Sequence, residues 1–229
     1  MNGKNGMCAR LLGIAAVLAL TVSAMLVLAA PVSAVTVPFT EDFSVNASGW
    51  LNATSGPLTW NATGGPDGGS YVSSTLGSLS GNGTIQFRAN DSANASGDAF
   101  VGNWITSGVS VISADVFHDA PQAITFFFRF AGAGAMVGFA PAVAPNTWTT
   151  IQVVISPGTL TPAGGSFATT MAAISNLQIG VSVPVELESV PFTYGVDKVA
   201  IVPEPATAGL LAGGLMLLAI GGRRRAARR

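Results

Sequence analysis

Between Val35 and Val202 the chain holds three bases, Arg88, Arg129 and Lys198, ten acids and one histidine, His118, for a net charge of −7. That balance excludes nucleic-acid binding, which needs a basic footprint. The one cysteine, Cys8, lies ahead of this stretch. The stretch therefore has no thiolate to act as nucleophile or metal ligand and no disulfide. A zinc site needs several His or Cys ligands, and a Ser-His-Asp triad needs a histidine beside its serine. His118 lies in His118-Asp119-Ala120-Pro121-Gln122, where Asp and Pro are explained by a turn between two strands. A glycosidase needs two carboxylates flanking the bond. The ten acids do not form a catalytic pattern, and the stretch reads as non-enzymatic.

Three constellations remain. Glu41 and Asp42 stand near the start of the stretch and Asp197 near its end. If the ends of the fold meet, their oxygens can converge on calcium, a hard cation that takes several oxygen ligands. The alternative is solvated strand-end acids with a salt bridge to Lys198. Next, Arg88 and Arg129 fall mid-strand with Gln86 and Phe127 as neighbours. Planar donors beside an aromatic ring suit a sugar, which offers hydroxyls and an apolar C–H face. The alternatives are protection of a sheet edge or pairing with Asp115. Finally, Asn46, Asn52, Asn61, Asn82, Asn90 and Asn94 each begin an Asn-x-Ser/Thr triplet, the pattern of a glycosylation acceptor. The competing explanation is turn chemistry, which Asn, Ser and Thr all suit.

The elements that must position these residues are strands. Helix formers are scarce, and short apolar runs alternate with turn residues. Strands are expected near Thr36–Phe43, Ser70–Ser74, Thr84–Ala89, Ala99–Ile105, Val109–Phe117, Ala123–Phe130, Ala135–Ala140, Thr147–Ser156, Leu177–Val183 and Tyr194–Val202, with one short helix over Ser166–Ile174. Ile124, Phe126, Phe128 and Phe130 share one face and Thr125, Phe127 and Arg129 the other; Ile85 and Phe87 likewise oppose Gln86 and Arg88. This period of two predicts an all-β fold, an antiparallel β-sandwich with one face of each sheet in the core. Gly132 to Gly138 follows a strand, but Pro141 and Pro145 deny it the helix of a dinucleotide site. It reads as a hairpin.

The two ends have a different character. Lys4 and Arg10 precede an uncharged run from Leu11 to Ala30, then Pro31 and the small residues Val32-Ser33-Ala34. This is the pattern of a signal peptide over 1–34, cut by signal peptidase; the alternative is a retained anchor. At the other end Pro203-Glu204-Pro205 leads into uncharged residues to Gly222 and then Arg223, Arg224 and Arg225, with two more arginines at the terminus. The apolar run is barely long enough to cross a membrane as a transmembrane helix, and the arginines should stay cytoplasmic.

That order resembles the PEP-CTERM sorting tail, here over 203–229. The resemblance implies recognition by an exosortase in the inner membrane of a Gram-negative, exopolysaccharide-producing host, followed by removal of the tail and delivery to the cell surface or matrix. A single-pass anchor that stays in place is the alternative. The series Glu41-Asp42-Phe43, Gly49-Trp50, Trp60, Gly64 to Tyr71, Asn146-Thr147-Trp148, Ser166-Phe167 and Tyr194 to Val199 resembles jelly-roll, carbohydrate-binding-module-like or galactose-binding-like domains. It implies a sandwich over 35–202, often with calcium holding the chain ends. Together these readings describe an exported, non-catalytic surface or matrix protein associated with extracellular polysaccharide. The alternatives are a structural biofilm or coat protein without a defined ligand, and a glycan-degrading enzyme.

Overall fold

A computed structural model describes residues 35–77 and 83–203, all in the second of the two units into which the chain divides after Ser33. The expected signal peptide, Asn82, Glu204, Pro205 and the tail arginines lie outside the described residues. Among the described residues no helix is long and apolar enough to cross a membrane.

The described chain folds as the expected antiparallel sandwich. Its strands are β1 (Phe39–Glu41), β2 (Thr59–Asn61), β3 (Tyr71–Ser74), β4 (Thr84–Asn90), β5 (Val109–His118), β6 (Ile124–Gly132), β7 (Ala135–Val143), β8 (Thr149–Val154), β9 (Thr161–Gly164), β10 (Ile174–Ser182) and β11 (Tyr194–Pro203). The helix α1 spans Phe167–Met171 and opens on a capping box at Ser166 and Thr169. One sheet runs β2-β3-β11-β5-β8, with β1 also on β11; the other runs β4-β10-β6-β7-β9. Below they are called the terminal sheet and the arginine sheet. β1 pairs with β11 through Phe39↔Ile201 and Glu41↔Val199, so the two ends of the domain do meet.

Alternation builds the core. Ile124, Phe126, Phe128 and Phe130 of β6 are buried against Ile112, Val116, Val196 and Ile201 of the facing sheet. Each such side chain contributes about 1.5–3 kcal/mol through burial. Trp104 meets Phe130 edge-on at 5.3 Å, and Phe126 meets Tyr194 at 6.5 Å.

Two strands escape the sequence pattern. β2 is three residues long, and β9 is exposed throughout and contains Pro162, which an edge strand tolerates. Conversely, Ala99–Ile105 is not a strand. Phe100 and Trp104 are both buried and lie four residues apart, and the Trp104 indole N–H donates to Phe100 O at 2.9 Å. That is a compact turn, not an alternating ribbon. The Gly132-to-Gly138 run is the expected hairpin, joining β6 to β7.

Candidate functional site

On the outer face of the arginine sheet, Gln178 of β10 lies between Arg88 of β4 and Arg129 of β6, in register with both. Arg129 Nη1 donates to Gln178 Oε1 at 2.7 Å. With the Asn176 amide oriented to satisfy its neighbours, Asn176 Oδ1 accepts from Gln178 Nε2 at 3.0 Å and from Arg88 Nη2 at 3.2 Å. Arg88 Nη1 also donates to Ala53 O at 3.2 Å. The four side chains thus form one hydrogen-bonded row across three strands. Polar residues joined this way hold a fixed geometry.

Beside the row lies an apolar groove of about 260 Å3, lined by Gly83, Ile85, Phe127, Arg129, Val137, Phe139 and Ala163. Phe127 and Phe139 are cross-strand partners with ring centroids 5.6 Å apart. Phe127 is only 3% exposed, whereas Phe139 is 58% exposed. A Cβ on Gly180 would come within 2.3 Å of Phe127 Cζ. The Phe127 ring therefore occupies the space above that glycine.

This geometry corrects two members of the expected ligand face. Phe127 is a buried support, not an open platform, and the exposed ring is Phe139. Gln86 is fully buried and points inward, where Ser74 Oγ donates to its Oε1 at 2.9 Å. The register of β4 shifts opposite Ile179 and Gly180. An extra residue in a bulge moves a side chain to the other face, so Gln86 joins Phe87 inside and Ile85 turns out. Arg88 and Arg129 remain on the outer face. Arg129 sits on an interior strand, so edge protection does not explain it, and Asp115 belongs to the other sheet. Asn176, Gln178 and Phe139 were missed. The signal was present: Gln178 alternates with Leu177 and Ile179, and Phe139 with Gly138 and Ala140.

The expected calcium ligands lie by the terminal sheet. Glu41 is buried and its Oε1 accepts from Phe43 N at 2.9 Å; Asp42 Oδ1 accepts from Ser44 N at 3.1 Å. Asp197 is 4% exposed and its Oδ1 accepts from Lys198 N at 2.8 Å. Asp42, Asp67, Asp197 and Lys198 line a groove of about 220 Å3, which Glu41 does not reach. The Lys198 ammonium pairs with Asp67 there. Among the described residues no three His, Cys, Asp or Glu side chains are placed to hold a metal ion. The residues do not fit calcium as the expected trio: Glu41 is turned to its own turn, and the groove already contains a cation. Burial pushes the Asp197 carboxyl up to about 6, against the Lys198 amide and ammonium, with Asp115 and Asp42 adding repulsion.

Above Asp197 on the same face, Trp148 packs against Tyr71 at 5.2 Å and Phe117 at 5.6 Å. Its indole N–H donates to Gly64 O at 2.9 Å. Trp50, by contrast, is buried, with its N–H on Ser96 Oγ. His118 ends β5 instead of lying in a turn. It is buried, with Nε2 2.9 Å from Val143 O, and burial lowers its pKa.

Three of the asparagine triplets sit in tight local turns. Asn46 Oδ1 accepts from Ser48 N, Asn52 Oδ1 from Thr54 N and Asn90 Oδ1 from Ser92 N. In each case the acceptor reaches the backbone two residues on, which is an Asx turn. Asn61 instead donates to Ser73 Oγ, and Asn94 takes the left-handed conformation between two short helical turns.

No protein-family model matches the chain, and no curated protein matches it in sequence. Solved structures with which it superposes include the CBM22-1–GH10 modules of the Clostridium thermocellum endo-1,4-beta-D-xylanase 10B with xylohexaose. There the TM-score is 0.48 at 19% identity, over 72% of this chain and 28% of that one. An exo-beta-agarase gives 0.47 at 12%, over 72% and 24%. The family 11 carbohydrate-binding module of Clostridium thermocellum with a mixed-linked tetrasaccharide gives 0.45 at 14%, over 75% and 98%. This chain therefore spans only about a quarter of the xylanase and agarase chains.

Proposed function

We propose that the described domain is a non-catalytic glycan-binding module whose ligand lies across the outer face of the arginine sheet. The observation that carries this reading is the row Arg129–Gln178–Asn176–Arg88 beside the exposed ring of Phe139. The row offers planar donors and acceptors already held in place, and the ring offers an apolar surface. Sugars present hydroxyls at their edges and C–H groups on their faces, so both halves of the site are matched. The non-catalytic part of this reading is supported by composition: the five strands of the arginine sheet contain no Asp or Glu. A carboxylate pair for bond hydrolysis is therefore not built into those strands.

The ends of the chain extend this reading to location. The signal-peptide pattern and the Pro203-Glu204-Pro205 tail support export, sorting by an exosortase and display at the cell surface or in the matrix, where extracellular polysaccharide is the available ligand. Intact mass of the surface-exposed protein checks the processing: a start near Val35 and loss of Arg223 to Arg229 are expected, and recovery of the full tail refutes the sorting. For the site itself, Phe139→Ala in the full-length chain should weaken binding on a glycan array by about tenfold, from the lost ring contact. Its melting temperature should hardly change, because the ring is largely exposed. Unchanged binding would place the site elsewhere.

A further inference from the structure

The charges of this domain are sorted by sheet. Both arginines lie on the arginine sheet, whose strands carry no acid. The terminal sheet holds Glu41, Asp115, Asp197 and Lys198. In a domain of net charge −7, one sheet therefore carries two guanidinium groups and no carboxylate on its five strands.

The usual partner of a guanidinium is missing on both. Among the described residues the ion pair is Lys198–Asp67, on the other sheet. Among the described residues Arg88 and Arg129 bond only to neutral groups: Ala53 O, Asn176 Oδ1 and Gln178 Oε1. A guanidinium has five N–H donors in a planar fork. Arg129 uses Nη1 toward Gln178 and makes no other bond among the described residues. Its Nε and Nη2 edge, the one that matches a carboxylate with two parallel bonds, is uncommitted. Arg129 also borders the groove that holds Phe139, so a ring stacked there brings its substituents within reach of the fork.

We infer that the ligand of this face is an acidic polysaccharide bearing carboxylate groups, not a neutral one. The inference rests on the glycan-binding reading above and specifies the chemical class. A neutral sugar stacked on Phe139 would half-cover the Arg129 guanidinium, which costs desolvation with no compensating charge. A carboxylated chain supplies the counter-charge. Arg88 and Arg129 are both in register with Gln178, so they lie two strands apart, roughly 10 Å at the backbone. Arg88 has both Nη groups bonded and its Nε buried, so it adds positive charge to the face while Arg129 supplies the open fork. The acids of the terminal sheet lie beyond the ~10 Å between stacked sheets, and a Debye length of ~8–10 Å screens them at physiological salt.

The test uses the full-length chain and four probes: polygalacturonate, its fully methyl-esterified form, dextran sulfate and neutral xylan. Polygalacturonate should bind at least tenfold tighter than its ester, and the preference should shrink as salt rises from 50 to 500 mM. Arg129→Gln should remove that preference, lowering polygalacturonate affinity about tenfold and ester affinity by no more than about two- to threefold, since the ester loses only a neutral hydrogen bond from the row. Arg129→Lys should fall between, since it keeps the charge without the fork. Melting curves of both variants confirm folding, and Arg88→Gln gives a second reading if either fails. Equal, salt-insensitive affinity for acid and ester would overturn the acidic assignment and leave glycan binding standing. Binding to dextran sulfate alone would overturn the carboxylate in favour of a sulfate. Binding to none of the four would remove both the assignment and the reading beneath it.

Discussion

On the outer face of the terminal sheet, Trp148 lies over Gly195; a Cβ on that glycine would meet the indole at 2.9 Å. On the outer face of the arginine sheet, Phe127 lies over Gly180 in the same manner. Both faces thus use an aromatic ring to cover the gap left by a strand glycine. They differ in what surrounds the ring. Trp148 is wedged between Tyr71 and Phe117 and tied to Gly64 by its N–H. The nearby charges are paired or buried: Lys198 of β11 pairs with Asp67 of the β2–β3 loop, and Asp197 beside it is buried. Phe127 has beside it an exposed Phe139 and an arginine that, among the described residues, bonds only to Gln178 through one Nη. One face has spent its aromatic and charged groups on holding a loop to the sheet. The other has kept them available. Residue type alone does not mark a binding face; what matters is whether its polar groups already have partners.

The sharpest way to break this comparison is to remove the supporting ring on the arginine sheet. Phe127→Ala takes away a nearly fully buried aromatic side chain and leaves a cavity over Gly180, so it should cost about 3–5 kcal/mol of stability. Phe139→Ala, one strand away, should cost under about 0.5 kcal/mol, as exposed positions generally do. Urea denaturation of both variants tests the pair. If the two losses are equal, the division into support and contact residue is wrong.

That division was only partly legible in the sequence. The sandwich and the inward face of β6 follow from a period of two, which burial enforces; the meeting of the chain ends was only what the resemblance implied. The outward placement of Arg88 and Arg129 follows from the same rule. Gln86 broke it, because one extra residue in β4 reverses the parity and nothing local to Thr84–Arg88 announces a bulge. Phe127 broke it for a different reason. Its outward direction was read correctly, but Gly180, 53 positions further along the chain, turns an outer position into a covered one. Partners across strands are set by tertiary register, which alternation does not encode. The asparagine triplets were the reverse case: a pattern that suggested modification is accounted for, in three places, by turns.

A second prediction probes the closed face. The Asp197 carboxyl titrates near 6 in the folded protein against an ordinary value of 3.8. Between those values the native state holds a proton that the unfolded chain has released. Stability from this group is therefore complete below about pH 4 and is lost as pH rises through 6. Asp197→Asn removes the charge while keeping an oxygen for Lys198 N. At pH 7 the variant should be more stable than the parent by up to about 3 kcal/mol, the equivalent of the shift, and no more stable below pH 4. His118 has the opposite sign: its lowered pKa costs stability as pH falls below its ordinary 6.5. It is common to both proteins, so it cancels in the difference. A variant that is less stable at pH 7 would mean the Asp197 charge holds this face together.

The smallest effect links a turn to the open face. Asn52 Oδ1 accepts from Thr54 N, Thr54 Oγ1 and Gly56 N at 3.0, 2.8 and 2.9 Å. These bonds tighten the loop that follows Leu51, and Leu51 pairs with Arg88 through the backbone. The same loop presents Ala53 O to Arg88 Nη1 at 3.2 Å. Asn52 is therefore a positioning residue for one end of the polar row, although it is not among the residues lining the apolar groove. Asn52→Ala should cost about 1 kcal/mol, the usual worth of a side-chain oxygen that satisfies backbone amides at a turn or cap. Polygalacturonate binding should weaken about two- to threefold, less than for Arg129→Gln, because Arg88 keeps its bond to Asn176. Asn52→Asp supplies the control. It retains the oxygen and abolishes the Asn-x-Thr acceptor, so stability and binding should stay within about 0.5 kcal/mol of the parent. If Asp fails where Asn succeeds in protein from its own host, the amide nitrogen is what matters. Attachment of a glycan at Asn52, read directly by mass spectrometry of that peptide, would then replace the turn as the reason for this triplet.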